Sequence, residues 1–138
     1  MRKYLFCLLA VSLLSACGDS RGEKDKKLAR GCQAGIKSLL AQDKYDRQIS
    51  KVTSRKFADE ADGRRVTLNT VTKNKQFSYE KDESFNCLFA ETSNFFGWKA
   101  EIQQLNIGED AYGRKDGKIL GELQDFLDLT DAVAKAMK

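Results

Sequence analysis

The chain has 138 residues, 32% charged and 41% hydrophobic, with a net charge of +4; this suits one domain with a core, and beyond the N-terminal segment no apolar run is long enough to cross a membrane. Histidine and proline are absent, which removes the commonest general base and metal ligand and leaves Gly, Asn and Asp to make the turns. Basic residues gather in the middle of the chain and acidic ones from residue 82 on, a pattern open to two readings: a basic surface facing an anionic partner, or two halves of one domain that neutralise each other.

At the N-terminus, Arg2 and Lys3 precede an apolar run that closes on Leu14-Ser15-Ala16-Cys17. A basic start, a short apolar run and small residues before a cut are the parts of a secretory signal. The last four residues resemble the lipobox of bacterial lipoproteins, in which the thiol is alkylated by diacylglycerol before cleavage. The resemblance implies a signal peptide at 1–16 and Cys17 as the lipidation site, carrying diacylglycerol and an N-acyl chain, with no other cofactor. Two or more buried acyl chains make a stable membrane anchor. By resemblance to lipoprotein sorting in enteric-type bacteria, Gly18 after the cysteine implies the outer membrane, facing the periplasm, rather than the inner one. The alternative is a secreted soluble domain whose cysteine falls there by chance.

Residues 18–27 are polar, so 17–27 reads as the lipidated cysteine and a flexible tether of about 35 Å at full extension, and 28–138 as a single α+β domain. Leu28, Cys32, Ile36 and Leu39 recur at helical spacing and form one face. Gly31 and Gly35 lie beside it, each costing about 1 kcal/mol of helix propensity; a close approach to a sheet would offset that. Residues 42–48 connect, and 49–57 read as an edge strand crowded by Lys51, Arg55 and Lys56. Asp59, Glu60, Asp62 and Gly63 make an acidic turn, and 65–72 alternates as the hairpin partner of the preceding strand. Residues 76–79 start a third strand that polar 80–83 interrupts. Phe85, Cys87 and Phe89 then point one way in the cleanest alternation of the chain.

Cys7 lies in the signal and the lipobox resemblance assigns Cys17 to lipid, which leaves Cys32 and Cys87 as the one available disulfide in an oxidising compartment. Both fall independently on apolar faces, one helical and one extended. Without histidine or a C-x-x-C spacing, no metal site is expected.

Ser93-Asn94-Phe95-Phe96-Gly97-Trp98 places three aromatics around a glycine. Core packing is the commoner fate of such residues; exposed at a loop tip, they would meet a partner, a glycan or a membrane leaflet. Phe95, Phe96 and Trp98, with Arg64 and Arg65 as basic companions, are therefore the candidate partner-binding residues. After Trp98, Ala100 and Ile102, the residues Leu105 and Ile107 continue in the opposite phase, which predicts a bulge near Gln103 or Gln104. Residues 108–121 read as irregular turns with one short hairpin at most. Asp110 and Asp116 do not have calcium-loop spacing. Leu123, Phe126, Leu127, Thr130, Val133 and Met137 give an amphipathic C-terminal helix, or a pair broken at Asp128 or Leu129 with Thr130 as cap, laid on the same sheet.

The expected fold is α+β: an N-terminal helix, an antiparallel sheet of three to five strands, a C-terminal helix or helix pair on the sheet, and one helix-to-strand disulfide. This arrangement resembles that of small Gram-negative envelope lipoproteins. No catalytic residue is assigned, because the carboxylates of Asp59, Glu60, Asp62, Glu109 and Asp110 sit in turns where solvated charge explains them. The expected function is a lipid-anchored, non-catalytic envelope protein that binds a protein or cell-wall component as an assembly accessory or sensor, with no nucleic-acid partner. An inhibitor of a cell-wall hydrolase and a structural tether are the alternatives.

Overall fold

The computed structural model describes residues 20–61 and 63–138; the signal segment, Cys17 and Asp62 lie outside the described residues. In chain order the elements are α1 (Arg21–Leu40), β1 (Arg47–Glu60), β2 (Gly63–Asn74), β3 (Glu80–Asn94), β4 (Gly97–Ile107), β5 (Asp110–Lys115), β6 (Lys118–Leu120) and α2 (Leu123–Ala136). The strands form one six-stranded antiparallel sheet in sequence order, and both helices lie on the same face of it.

The sheet exceeds the expected three to five strands because the turn-rich segment after Ile107 pairs. Asp110 faces Ile107 across the β4–β5 hairpin, and Lys115 faces Lys118 across β5–β6. Polar residues 80–83 also belong to a continuous β3, held by pairing with β2 from Lys73 opposite Glu80 onward. Cross-strand hydrogen bonding there outweighs the low strand propensity of the charged residues.

Helix α1 reaches back to Arg21, so residues 21–27, expected as tether, are helical. Ser20 and Glu23 have capping-box spacing, and the Glu23 amide donates to Ser20 Oγ at 3.3 Å. The first turn is also tied to the sheet: Arg21 Nη2 is 2.9 Å from Asp59 Oδ1, and Asp25 pairs with Arg64.

Leu28, Ile36 and Leu39 of α1 close over Val66 and Leu68 of β2, Phe85 and Phe89 of β3, and Leu105 and Ile107 of β4, all essentially inaccessible. The Cys32–Cys87 disulfide runs through this core with Cα atoms 5.7 Å apart. Leu88 pairs with Gln104 and Phe89 with Ile102, so Gln103 is the extra residue of a bulge. That bulge lets Ile102, Leu105 and Ile107 all face the core despite their change of phase. Beside it, only glycine fits at position 113, where φ is +110° and a Cβ would come within 2.0 Å of the Gln103 carbonyl oxygen.

Helix α2 is one unbroken helix, in which the Thr130 hydroxyl donates back to the Phe126 carbonyl at 2.9 Å rather than capping a new start. It packs against α1 as well as the sheet. A Cβ at Gly35 would lie 2.7 Å from Leu129 Cδ1, and one at Gly31 would lie 2.8 Å from Met137 Cγ. The two glycines thus seat a neighbouring helix, where a close approach to the sheet was expected. On the uncovered face of the sheet, polar side chains bond across strands: Asn69 to Ser54 at 2.7 Å and Thr67 to Asn86 at 2.8 Å.

Candidate functional site: the β3–β4 hairpin tip

Strand β3 has 15 residues, which at the usual rise is about 50 Å. Helix α1 has 20 residues and is about 30 Å long. The longer strand outruns the helix that covers it, and every residue from Thr92 to Gly97 is exposed. Asn94 pairs with Gly97, leaving Phe95 and Phe96 as the two residues of the turn. The Asn94 side chain accepts from the Phe96 amide at 2.9 Å, and Gly97 closes the turn at a φ of +113°.

Phe95 is 98% exposed and Phe96 89%, their rings edge to face with centroids 5.7 Å apart. Core packing, the commoner expectation for these aromatics, does not hold for this pair. Leaving two phenyl rings in water forgoes roughly 1.5–3 kcal/mol each. Trp98 behaves differently: it is half-buried against the core, its indole N–H donates to Glu91 Oε2 at 2.7 Å, and Lys24 Nζ lies 5.7 Å from its ring centroid.

The two arginines named with the aromatics part company. Arg64 faces inward in phase with Val66 and Leu68, its side chain only 7% exposed, with Nε 3.1 Å from Glu91 Oε1 and Nη1 on Asp25. Its charge is taken up inside the domain and is not presented to a partner. This orientation was available from the alternation of β2, which puts 64, 66 and 68 on one face. Arg65 points to the uncovered face, half-exposed, and pairs with Glu60 at 2.7 Å. Asp59 also pairs with Arg21. Among the described residues no group of three or more His, Cys, Asp or Glu side chains is arranged to hold a metal ion, and no helix is long and apolar enough to cross a membrane.

The opposite end carries a second aromatic pair that the sequence reading did not single out. Phe77 and Tyr79, in the turn between β2 and β3, stack with centroids 6.5 Å apart and are 63% and 64% exposed. They are tethered: the Asn74 side chain accepts from the Gln76 and Phe77 amides at 2.9 Å each, and its amide group donates to the Tyr79 hydroxyl at 3.3 Å. Nearby, Arg47 binds both oxygens of Glu83 at 2.7 and 2.6 Å, which holds the guanidinium pKa above its ordinary value. In the loop after α1, the Tyr45 hydroxyl meets that of Tyr112 and donates to Asp110 Oδ2 at 2.7 Å, with Lys44 Nζ 5.0 Å from the Tyr112 ring centroid. Burial, helped by the hydrogen bonds to Tyr112 and Asp110, pushes the Tyr45 phenol pKa well above its ordinary value.

Two grooves of about 320 Å³ flank these features, one between α2 and β4–β5 around Ile102, Arg114 and Phe126, the other around Arg47, Tyr79 and Glu83. In the second, Arg47 is already paired with Glu83 and Asp46. Comparison with protein-family descriptions, curated proteins and solved structures finds no match for this chain.

Proposed function

We propose that this chain is a lipid-anchored, non-catalytic protein of the cell envelope that binds another envelope component through the Phe95–Phe96 tip, as an assembly accessory or sensor. The observation that carries the reading is the near-complete exposure of both rings on a turn held by Asn94 and Gly97. A monomer in water has no use for such a pair, and aromatic anchors of this kind dominate binding surfaces. The anchor is the lipid on Cys17, with the outer membrane, facing the periplasm, as its place. Three carboxylates of the acidic turns are occupied, Asp59 by Arg21, Glu60 by Arg65 and Asp110 by Tyr45, which favours a binding role over acid–base chemistry at these positions.

A photoreactive residue at position 95 in intact cells tests the reading, with position 77 as control. Adducts at 95 well above those at 77, reduced by Phe96→Ser, are expected; equal yields would end it. The inhibitor alternative draws on the same narrow tip, which would enter an enzyme cleft. It expects the adducts to be with one cell-wall hydrolase, and the purified pair to bind stoichiometrically.

A further inference from the structure

We infer that the component met by the Phe95–Phe96 tip is the lipid bilayer itself, which the two rings enter beside the acyl chains of Cys17, so that the domain stands on the membrane on this end. The inference rests on the lipid-anchor reading above and names its partner.

The geometry of α1 carries the argument. Its first turn lies on the base of the β3–β4 hairpin, with Lys24 over Trp98 and Asp25 paired to Arg64, which also holds Glu91. The chain therefore leaves the domain toward Cys17 at the same end from which Phe95 and Phe96 project. Four residue steps separate Cys17 from Arg21, the first helical residue, a reach of about 14 Å at full extension. A lipid held in the bilayer at Cys17 keeps this end at the membrane surface, and the rings of Phe95 and Phe96 project from that end, 98% and 89% exposed. A tether over residues 18–27 would leave the domain free to turn, whereas a helix starting at Arg21 holds its first turn within that short reach of the cysteine.

Charge at this end agrees. Glu23, Asp25, Asp59, Glu60 and Glu91 each pair with a Lys or Arg side chain. Lys99 and Lys138 share a surface with Trp98, where Glu101 is the acidic residue. Such a surface suits anionic headgroups. Trp98, with an apolar ring and a polar indole N–H, has the chemistry of an interfacial residue just above an inserted tip. Phe77 and Tyr79 lie at the far end and serve as the internal control.

The test uses the full lipid-bearing chain, purified from membranes and reconstituted on vesicles of phosphatidylethanolamine and phosphatidylglycerol whose acyl chains are brominated. Trp98 is the sole tryptophan, so Phe96→Trp and Phe77→Trp are compared in a common Trp98→Phe background. Flotation with the vesicles and severalfold stronger quenching at 96 than at 77 are expected. A chain that floats but is quenched equally at both positions overturns tip insertion and leaves the anchor reading standing. A chain that fails to float takes both down. Phe96→Cys carrying an environment-sensitive dye, with Trp98 intact, repeats the measurement without touching the indole. A dye that turns apolar only on native membranes, and not on protein-free vesicles, would assign the tip to a protein and overturn the inference.

Discussion

The two ends of the sheet each display a pair of aromatic side chains, and they use them differently. At the β2–β3 turn, Phe77 and Tyr79 stack on each other and are bound back to Asn74. At the β3–β4 turn, the backbone is held but the rings of Phe95 and Phe96 touch nothing beyond each other that would keep them from water. Exposure alone thus says little; the two pairs differ in whether the side chains are tied back to the fold, as Tyr79 is to Asn74, or are not, as in Phe95 and Phe96. The supports of the two ends differ as well, a cluster of ion pairs around Arg64 against a pair of phenols around Tyr45.

The comparison can be broken most severely by removing what both ends share. Cys32→Ser with Cys87→Ser opens the link between the middle of α1 and β3, closed over a separation of 55 residues. Denaturant unfolding should show a loss of about 4 kcal/mol, and hydrogen exchange should rise at both ends together. Arg64→Met should act at the tip end only. It leaves Asp25 and Glu91, both largely buried, without their cation, for a loss of about 3 kcal/mol and a shift in Trp98 fluorescence.

At the far end, Tyr112→Phe removes one hydroxyl from the phenol pair and should cost about 1 kcal/mol with Trp98 fluorescence unchanged. The same end carries a pH signature. Because the folded state holds the Tyr45 proton above the ordinary tyrosine range, its contribution is complete below about pH 10 and is lost as pH rises further. Alkaline titration of unfolding should therefore be flatter in Tyr45→Phe than in the parent chain. Smallest in stability is Phe95→Ser with Phe96→Ser, expected within about 0.5 kcal/mol of the parent while crosslinking at the tip collapses; a large loss of stability would mean that the rings support the fold.

Much of the core was legible from periodicity. Leu28, Cys32, Ile36 and Leu39 announced the buried face of α1, and Phe85, Cys87 and Phe89 that of β3, because burial on one face repeats every 3.6 or 2 residues. The phase slip between Ile102 and Leu105 predicts a bulge near Gln103 or Gln104, and the pairing places it at Gln103. Pairings not carried by such patterns were missed. Strands β5 and β6 are short and set among Gly108, Gly113, Gly117 and Gly121, so they read as turns, while the start of β3 is charged and holds as strand through its partner. The Ser20–Glu23 spacing that starts α1 and the alternation that turns Arg64 inward are both in the sequence, but the polar composition around the first and the basic character of the second point to a tether and to an exposed charge.

The sequence by itself determined which faces are apolar and that Cys32 and Cys87 each lie on one of them, since those depend on residue types at fixed local intervals. Only the tertiary structure decided that Phe95 and Phe96 lie outside, that Gly31 and Gly35 receive α2, and that the start of α1 and the aromatic tip share one end of the domain. Those outcomes depend on how far a strand outruns the helix above it and on which element fills the space beside a glycine. Such lengths and distances exist between elements, and no local pattern of residues encodes them.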